Sequence, residues 1–140
     1  MSDFRYNCLY FTTNRLSRII TKMADEAFAP TGFSPMYGYL LLLIIEDPGS
    51  AQKKLAEQLD IAPSTLTRFI EKLEQRGLVH RTTHGKTVLV YPTDAGRALE
   101  NEIHMASKRL HQMYERILGK TASDLLSREL VNSSDQLEGK

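Results

Sequence analysis

The stretch SAQKKLAEQLDIAPSTLTRFIEKLEQRGLVHRTTHGKTVLVYP, residues 50–92, decides the fold of this chain. Ser50 is an N-cap residue type and can open a short helix over 51–58, with Leu55, Ala56 and Leu59 turned inward. Asp60, Ile61 and Ala62 form a three-residue break. Pro63 then stands where a missing N–H costs nothing, at the first position of a helix over 63–76. Gly77 suits the left-handed residue just past that helix. A short helix, a tight turn and a longer helix make the helix-turn-helix pattern. Two short runs follow, 78–83 and 86–92, and the second holds the β-branched and aromatic TVLVY. His84 and Gly85 between them suit a two-residue hairpin loop. A hairpin placed directly after a helix-turn-helix is a wing.

Working outward, Leu9, Leu16, Ile20, Met23 and Ala27 recur at helical spacing over 9–28, closed by Pro30 and Gly32. Ser34 and Pro35 read as a cap and a first helical residue, and 37–45 is apolar all round, which predicts a helix buried on most sides. Asp47, Pro48 and Gly49 stop it. Downstream, Thr93 caps one long helix to about Leu118, ended by Gly119. Its Leu99, Ile103, Ala106, Leu110, Met113 and Ile117 alternate spacings of four and three, a narrow seam of the coiled-coil type. Thr121 can cap a last helix with Leu126, Leu130 and Leu137 on one side. The expectation is a mainly α chain with a small β-hairpin wing.

Composition narrows the function. The chain has 140 residues, 41% apolar and 25% charged, the profile of one globular domain. Its one cysteine, Cys8, leaves no disulfide framework and no CxxC metal site. Residues 1–14 lack the continuous apolar core of a signal peptide, and the longest apolar run, 39–45, is far short of the ~20 residues that span a bilayer. A cytoplasmic protein with no membrane partner is expected. The net charge of +1 hides a pattern. Residues 1–48 carry four basic and five acidic residues, 49–92 seven and four, and 93–140 seven and eight. A basic middle between neutral flanks suits a nucleic-acid-binding centre, although chance clustering produces the same count.

On the helix over 63–76, Leu66, Phe69, Ile70 and Leu73 share one face. Ser64, Thr65, Arg68 and Lys72 lie opposite, joined by Gln75. A helix that enters the major groove needs this division. Hydroxyls and Arg near its start reach base edges, while Lys further along meets phosphate. A solvated face looks similar in isolation; the turn, the wing and the basic segment favour DNA. In the wing, Arg81, His84 and Lys86 suit the backbone or an adjacent minor groove.

Taken in order, Leu55-Ala56-Glu57-Gln58-Leu59, Ser64-Thr65-Leu66-Thr67-Arg68, Leu73-Glu74, Gly77-Leu78-Val79, Arg81 and Thr93-Asp94-Ala95-Gly96 resemble the MarR family of winged-helix transcriptional regulators. The resemblance implies one domain over 1–140. In it, 34–92 form the winged helix-turn-helix, and the N- and C-terminal helices of 1–33 and 93–140 form a dimerisation region. It further implies a homodimer on pseudo-palindromic double-stranded DNA, Thr67 within the DNA-reading motif, and repression released by a small ligand or oxidant. The wing departs from the family, whose tip alternates acidic residues and Arg. Here Arg81 to Lys86 contains no Asp, and Lys86 is the nearest match to the tip cation.

Cys8, with Tyr10, Tyr37 and Tyr39, is similar to the organic-hydroperoxide-sensing branch, although Lys22 stands near the place of one of its tyrosines. The commoner reading of such a residue is a structural thiol near a chain terminus, and Arg5 three residues away is the one nearby cation that would favour a thiolate. The commoner mode in the family is a small aromatic or anionic ligand held between the dimerisation and DNA-binding parts, and the same tyrosines either line such a cleft or pack in the core. His104 and His111, like His80 and His84, lack a Cys, Asp or Glu at ligand spacing, so no metal or cofactor is expected. No HExxH, GxSxG or Gly-rich phosphate loop is present, which argues against an enzyme. The competing reading is a winged-helix protein-interaction module without DNA binding, for which Ser64, Thr65, Arg68 and Lys72 would be dispensable.

Overall fold

A helix that is apolar on every side has to be surrounded, and the chain is built around one. In the computed structural model, which describes residues 3–140, this is α3 (Pro35–Glu46). Met1 and Ser2 of the expected N-terminal segment lie outside the described residues. Leu40, Leu41 and Ile44 of α3 are fully buried, each burial contributing about 1.5–3 kcal/mol. Ser34 is the cap residue, but its hydroxyl makes no capping bond. The approach is set instead by a 3-10 turn at Ala29–Thr31 and a bond from the Phe33 N–H to Thr31 Oγ1 at 3.1 Å.

Two layers enclose α3. On one side lie α2 (Leu9–Phe28) and α7 (Glu100–Leu118), and on the other α4 (Gln52–Leu59) and the sheet. A short α1 (Phe4–Asn7) precedes α2, with Cys8 extended between them. The helix-turn-helix forms as expected: α4, a turn in which Asp60 takes φ 54°, and α5 (Pro63–Gln75).

Ser50 does not cap α4. It lies in β1 (Ser50–Ala51), where its backbone pairs with Val90 and its hydroxyl donates to the Asp47 carbonyl at 2.7 Å, so Ala51 holds the cap position. The wing is therefore three-stranded and antiparallel, in the order β1-β3-β2, with β2 at Val79–His84 and β3 at Thr87–Pro92. His84 pairs with Thr87, which moves the hairpin loop one residue on, to Gly85 and Lys86. Gly85 takes φ 63° at the first loop position, where glycine is preferred in the type II′ turn.

The long helix expected from Thr93 is broken. α6 (Asp94–Arg97) is capped by Thr93, whose Oγ1 accepts from the Gly96 N–H at 3.1 Å and donates to the Gly77 carbonyl at 2.7 Å. The chain then tightens through Ala98 and Leu99, where the Leu99 N–H bonds three residues back, before α7 begins. The coiled-coil seam is also reassigned. Ile103, Ala106 and Leu110 are buried within this one chain, and Leu99 and Met113 are half-buried against the same core. The face of α2 that carries Ala24, Ala27 and Phe28 needs a partner, and α7 supplies it. Of the expected dimer seam, Ile117 alone is exposed, at 77%.

α8 (Lys120–Glu138) follows Gly119, so Thr121 lies inside the helix rather than capping it. Ser123 is the buried residue of α8, while Leu125, Leu126, Leu130, Val131 and Leu137 are exposed. Leu9, Tyr10, Phe11 and Ile19 of α2 are exposed as well. Among the described residues, no single helix is long and apolar enough to cross a membrane.

Gly96 joins the wing to the helical frame, because a Cβ there would lie 2.2 Å from the Leu78 carbonyl oxygen. Backbone cannot yield as a side-chain end does. Gly96→Ala is therefore expected to cost about 1–3 kcal/mol or more, read as a lower urea midpoint at an unchanged slope. An unaltered midpoint would mean that the contact is not a tight one.

Candidate nucleic-acid interface

The amphipathic division of α5 decides what it presents. Leu66, Ile70 and Leu73 are buried, and Phe69 packs on the Tyr37 ring at 4.6 Å between centroids. The opposite side exposes Ser64, Arg68 and Lys72, with Thr65 half-buried. Among the described residues, none of these four side chains makes a hydrogen bond or an ion pair. Thr67 is different. Its hydroxyl donates to the Pro63 carbonyl at 3.0 Å and receives Gln52 Nε2 at 3.4 Å, so it faces α4 and holds the two helices together.

Arg81 is likewise spent inside the molecule. Its guanidinium binds Glu74 Oε1 at 2.8 Å, and its backbone N–H donates to Oε2 at 3.2 Å. Both contacts tie the end of α5 to the base of the wing. Arg81 is therefore a joint between α5 and the wing rather than a free wing cation. The hydrogen bond from Arg81 holds the Glu74 carboxyl below the usual carboxylate range, against a smaller opposing effect of burial. The sequence motif contained both residues, but their pairing depends on the reversal of the chain at Gly77.

At the wing tip, His84 and Lys86 are exposed. Lys86 lies across a crevice of about 320 Å³ from Lys53 at the start of α4, with Gln52 and Thr87 also lining it. Lys53 was not singled out by the sequence reading. Its signal was the Lys53-Lys54 pair in the basic segment, and only the structure separates the two: Lys54 is paired with Asp47 at 2.9 Å, whereas Lys53 makes no ion pair among the described residues.

The proposed sensing residues do not come together within the chain. Cys8 is half-buried at the α1–α2 junction, and no hydrogen bond links it to a tyrosine among the described residues. Tyr10 is exposed. Tyr37 packs against α5, while Tyr39 packs at a tilt against the Phe28 ring and shares a 3.1 Å hydrogen bond with Ser107 Oγ.

Tyr39 does reach a cavity of about 290 Å³ between α2, α7 and α8. Leu16, Ile20, Leu110, Leu126 and Leu130 supply its apolar wall. The polar groups include His111 and Tyr114, joined by a 2.8 Å hydrogen bond between Nδ1 and Oη, and the Ser127 hydroxyl. Burial, with the charge of Glu115 next, raises the Tyr114 phenol above its ordinary value, so it stays protonated.

Residues 38–86 match the model of the MarR family. The chain is 26% identical over 111 residues to an uncharacterized HTH-type transcriptional regulator, YwhA, of Bacillus subtilis strain 168, covering 76% of this chain and 80% of that one. Its fold is similar to that of the transcriptional repressor CouR bound to a 23-mer DNA duplex, with a TM-score of 0.84 and 24% identity over 94% of this chain and 95% of the other. It is also similar to the regulator PcaV of Streptomyces coelicolor in complex with its natural ligand, with a TM-score of 0.84 and 19% identity over 96% of both chains.

The Glu74 joint has a pH signature. A depressed folded pKa gives stability that is present above the unfolded value, ordinarily 4.5, and is lost as pH falls through the folded value. Glu74→Gln should therefore melt below the parent at pH 7, with the gap closing as pH drops below 4.5. A gap that stays constant over that range would show that the carboxylate charge is not what joins helix to wing.

Proposed function

We propose that this chain, whose residues 38–86 match the MarR family model, is a homodimeric transcriptional regulator that binds double-stranded DNA. It represses by occupying a pseudo-palindromic site and is released by a small molecule in the cavity between α2, α7 and α8. It acts as a regulator rather than a catalyst, in the compartment that holds the DNA, the cytoplasm.

The observation that carries this reading is the unspent face of α5. Ser64, Thr65, Arg68 and Lys72 are kept clear of internal partners, while the neighbouring Thr67 and Arg81 are consumed in holding the unit rigid. Hydroxyls and Arg68 near the start of α5 suit base edges, and Lys72, Lys53 and Lys86 suit phosphates on either side. CouR, similar in fold, is a repressor that binds a DNA duplex.

The exposed apolar residues of the two terminal segments support a dimer through 1–33 and 93–140. Leu9, Tyr10, Phe11, Ile117, Leu130 and Leu137 are costly to leave in water and lie on α2, α7 and α8. These helices also wall the cavity. A ligand there acts on the frame that sets the separation of the two recognition helices. Adjacent half-sites lie about 34 Å apart, so a modest change in that separation spoils simultaneous docking.

A titration of labelled duplex from upstream of the chain's own gene, at two salt concentrations, tests the assignment. Arg68→Ala should lose about 1–3 kcal/mol of affinity and relax sequence preference, while Lys72→Ala and Lys86→Ala should each reduce the salt slope by about 1. If Arg68→Ala and Lys86→Ala bind as the parent does, the DNA reading fails and the protein-interaction module replaces it.

A further inference from the structure

We infer that the cavity between α2, α7 and α8 selects an uncharged ligand, a small and mostly apolar ring compound with a neutral hydrogen-bonding group, and rejects carboxylates. The inference rests on reading this cavity as the effector site, and it names what the site accepts.

Among the described residues, no lysine or arginine lines the cavity. A carboxylate pressed against this leucine and isoleucine wall gives up part of its water and finds no lysine or arginine there in exchange, which disfavours it relative to an uncharged group. The charges felt at its wall run the same way. Glu115 and Asp124 both act on the Tyr114 phenol, while Lys120, which acts in the opposite sense, is itself paired with Asp124 at 3.1 Å. The potential offered to a guest is thus not that of an anion site.

The polar groups that are present suit a neutral partner. In the His111–Tyr114 hydrogen bond either atom can be the donor, depending on the imidazole tautomer. If Tyr114 donates to Nδ1, its oxygen keeps an acceptor lone pair and His111 Nε2 carries a donor. If Nδ1 donates instead, the Tyr114 hydroxyl becomes the free donor and Nε2 the acceptor. Each arrangement leaves one donor and one acceptor, the complement of an amide, a hydroxyl or a carbonyl. Ser127 adds a hydroxyl with no side-chain partner among the described residues. The leucine and isoleucine wall supplies the remaining contact, and about 290 Å³ limits the guest to a small ring compound.

The test is calorimetric titration of the full chain with 4-methylbenzamide and with 4-methylbenzoate, nearly identical in shape and different by one charge. It is run at pH 8, above the ordinary imidazole range. The amide is expected to bind tighter by roughly tenfold or more, because the carboxylate loses its water without a cation to replace it. Ser127→Arg and, separately, Leu16→Arg each bring a cation to the wall and should reverse the preference. The inference is overturned if the carboxylate binds the parent chain as tightly as the amide, if neither probe binds at millimolar concentration, or if both Arg variants leave the ratio unchanged. The DNA titration is read separately. Amide binding in a chain that ignores DNA would overturn the regulator reading and leave the ligand class standing, whereas DNA binding with carboxylate preference would do the reverse.

Discussion

The burial of α3 is the constraint on which the rest depends. With Leu40, Leu41 and Ile44 fully enclosed, neither the helical frame nor the winged unit can complete its core without the other. α2 and α7 cover one side of α3, and α4 with β3 covers the opposite side. A displacement in the frame therefore has a rigid element through which to reach the wing. Close-packed interiors transmit such shifts because they hold few voids to absorb them.

Around that core, the polar chemistry sorts side chains by whether they are already engaged. Thr67 and Arg81 resemble binding residues in sequence, yet one spends its hydroxyl between α4 and α5 and the other its guanidinium on Glu74. Ser64, Arg68, Lys72 and Lys86 keep theirs for something outside. A groove-reading surface needs both kinds, since free donors are selective only when the backbone beneath them is held still. The pairing of Glu74 with Arg81 is half-exposed, so its value lies more in fixing an angle between helix and wing than in overall stability.

The frame shows the complementary imbalance. The apolar seam of α7, regular enough to suggest a coiled coil, is absorbed by α2 and α3 of the same chain. What remains uncovered are the ends, α8 and the first turns of α2, together with the cavity they enclose. The cavity and the uncovered apolar surface are therefore built from the same helices, so what fills one bears directly on the other.

Much of the organisation follows from sequence alone, because it is governed by local rules. Pro63 and Gly77 bracket the recognition helix, the apolar run over 37–45 marks the central helix, and Thr93 caps the next one, each through chemistry reaching no more than a turn along the chain. What sequence could not supply depends on contacts distant in the chain. Ser50 became a strand residue because Val90 lies beside it. The long helix broke next to the place where Gly96 presses on the Leu78 backbone. Arg81 is engaged because a chain reversal brought Glu74 to it. The cavity is formed by residues as far apart as Leu16 and Leu130, and which side chains share its wall can be seen only once those walls meet. Side-chain type and short-range spacing set which residues have chemistry to offer; tertiary packing decides which of them is left free to use it, since a charge or hydroxyl satisfied inside the fold is no longer available outside it.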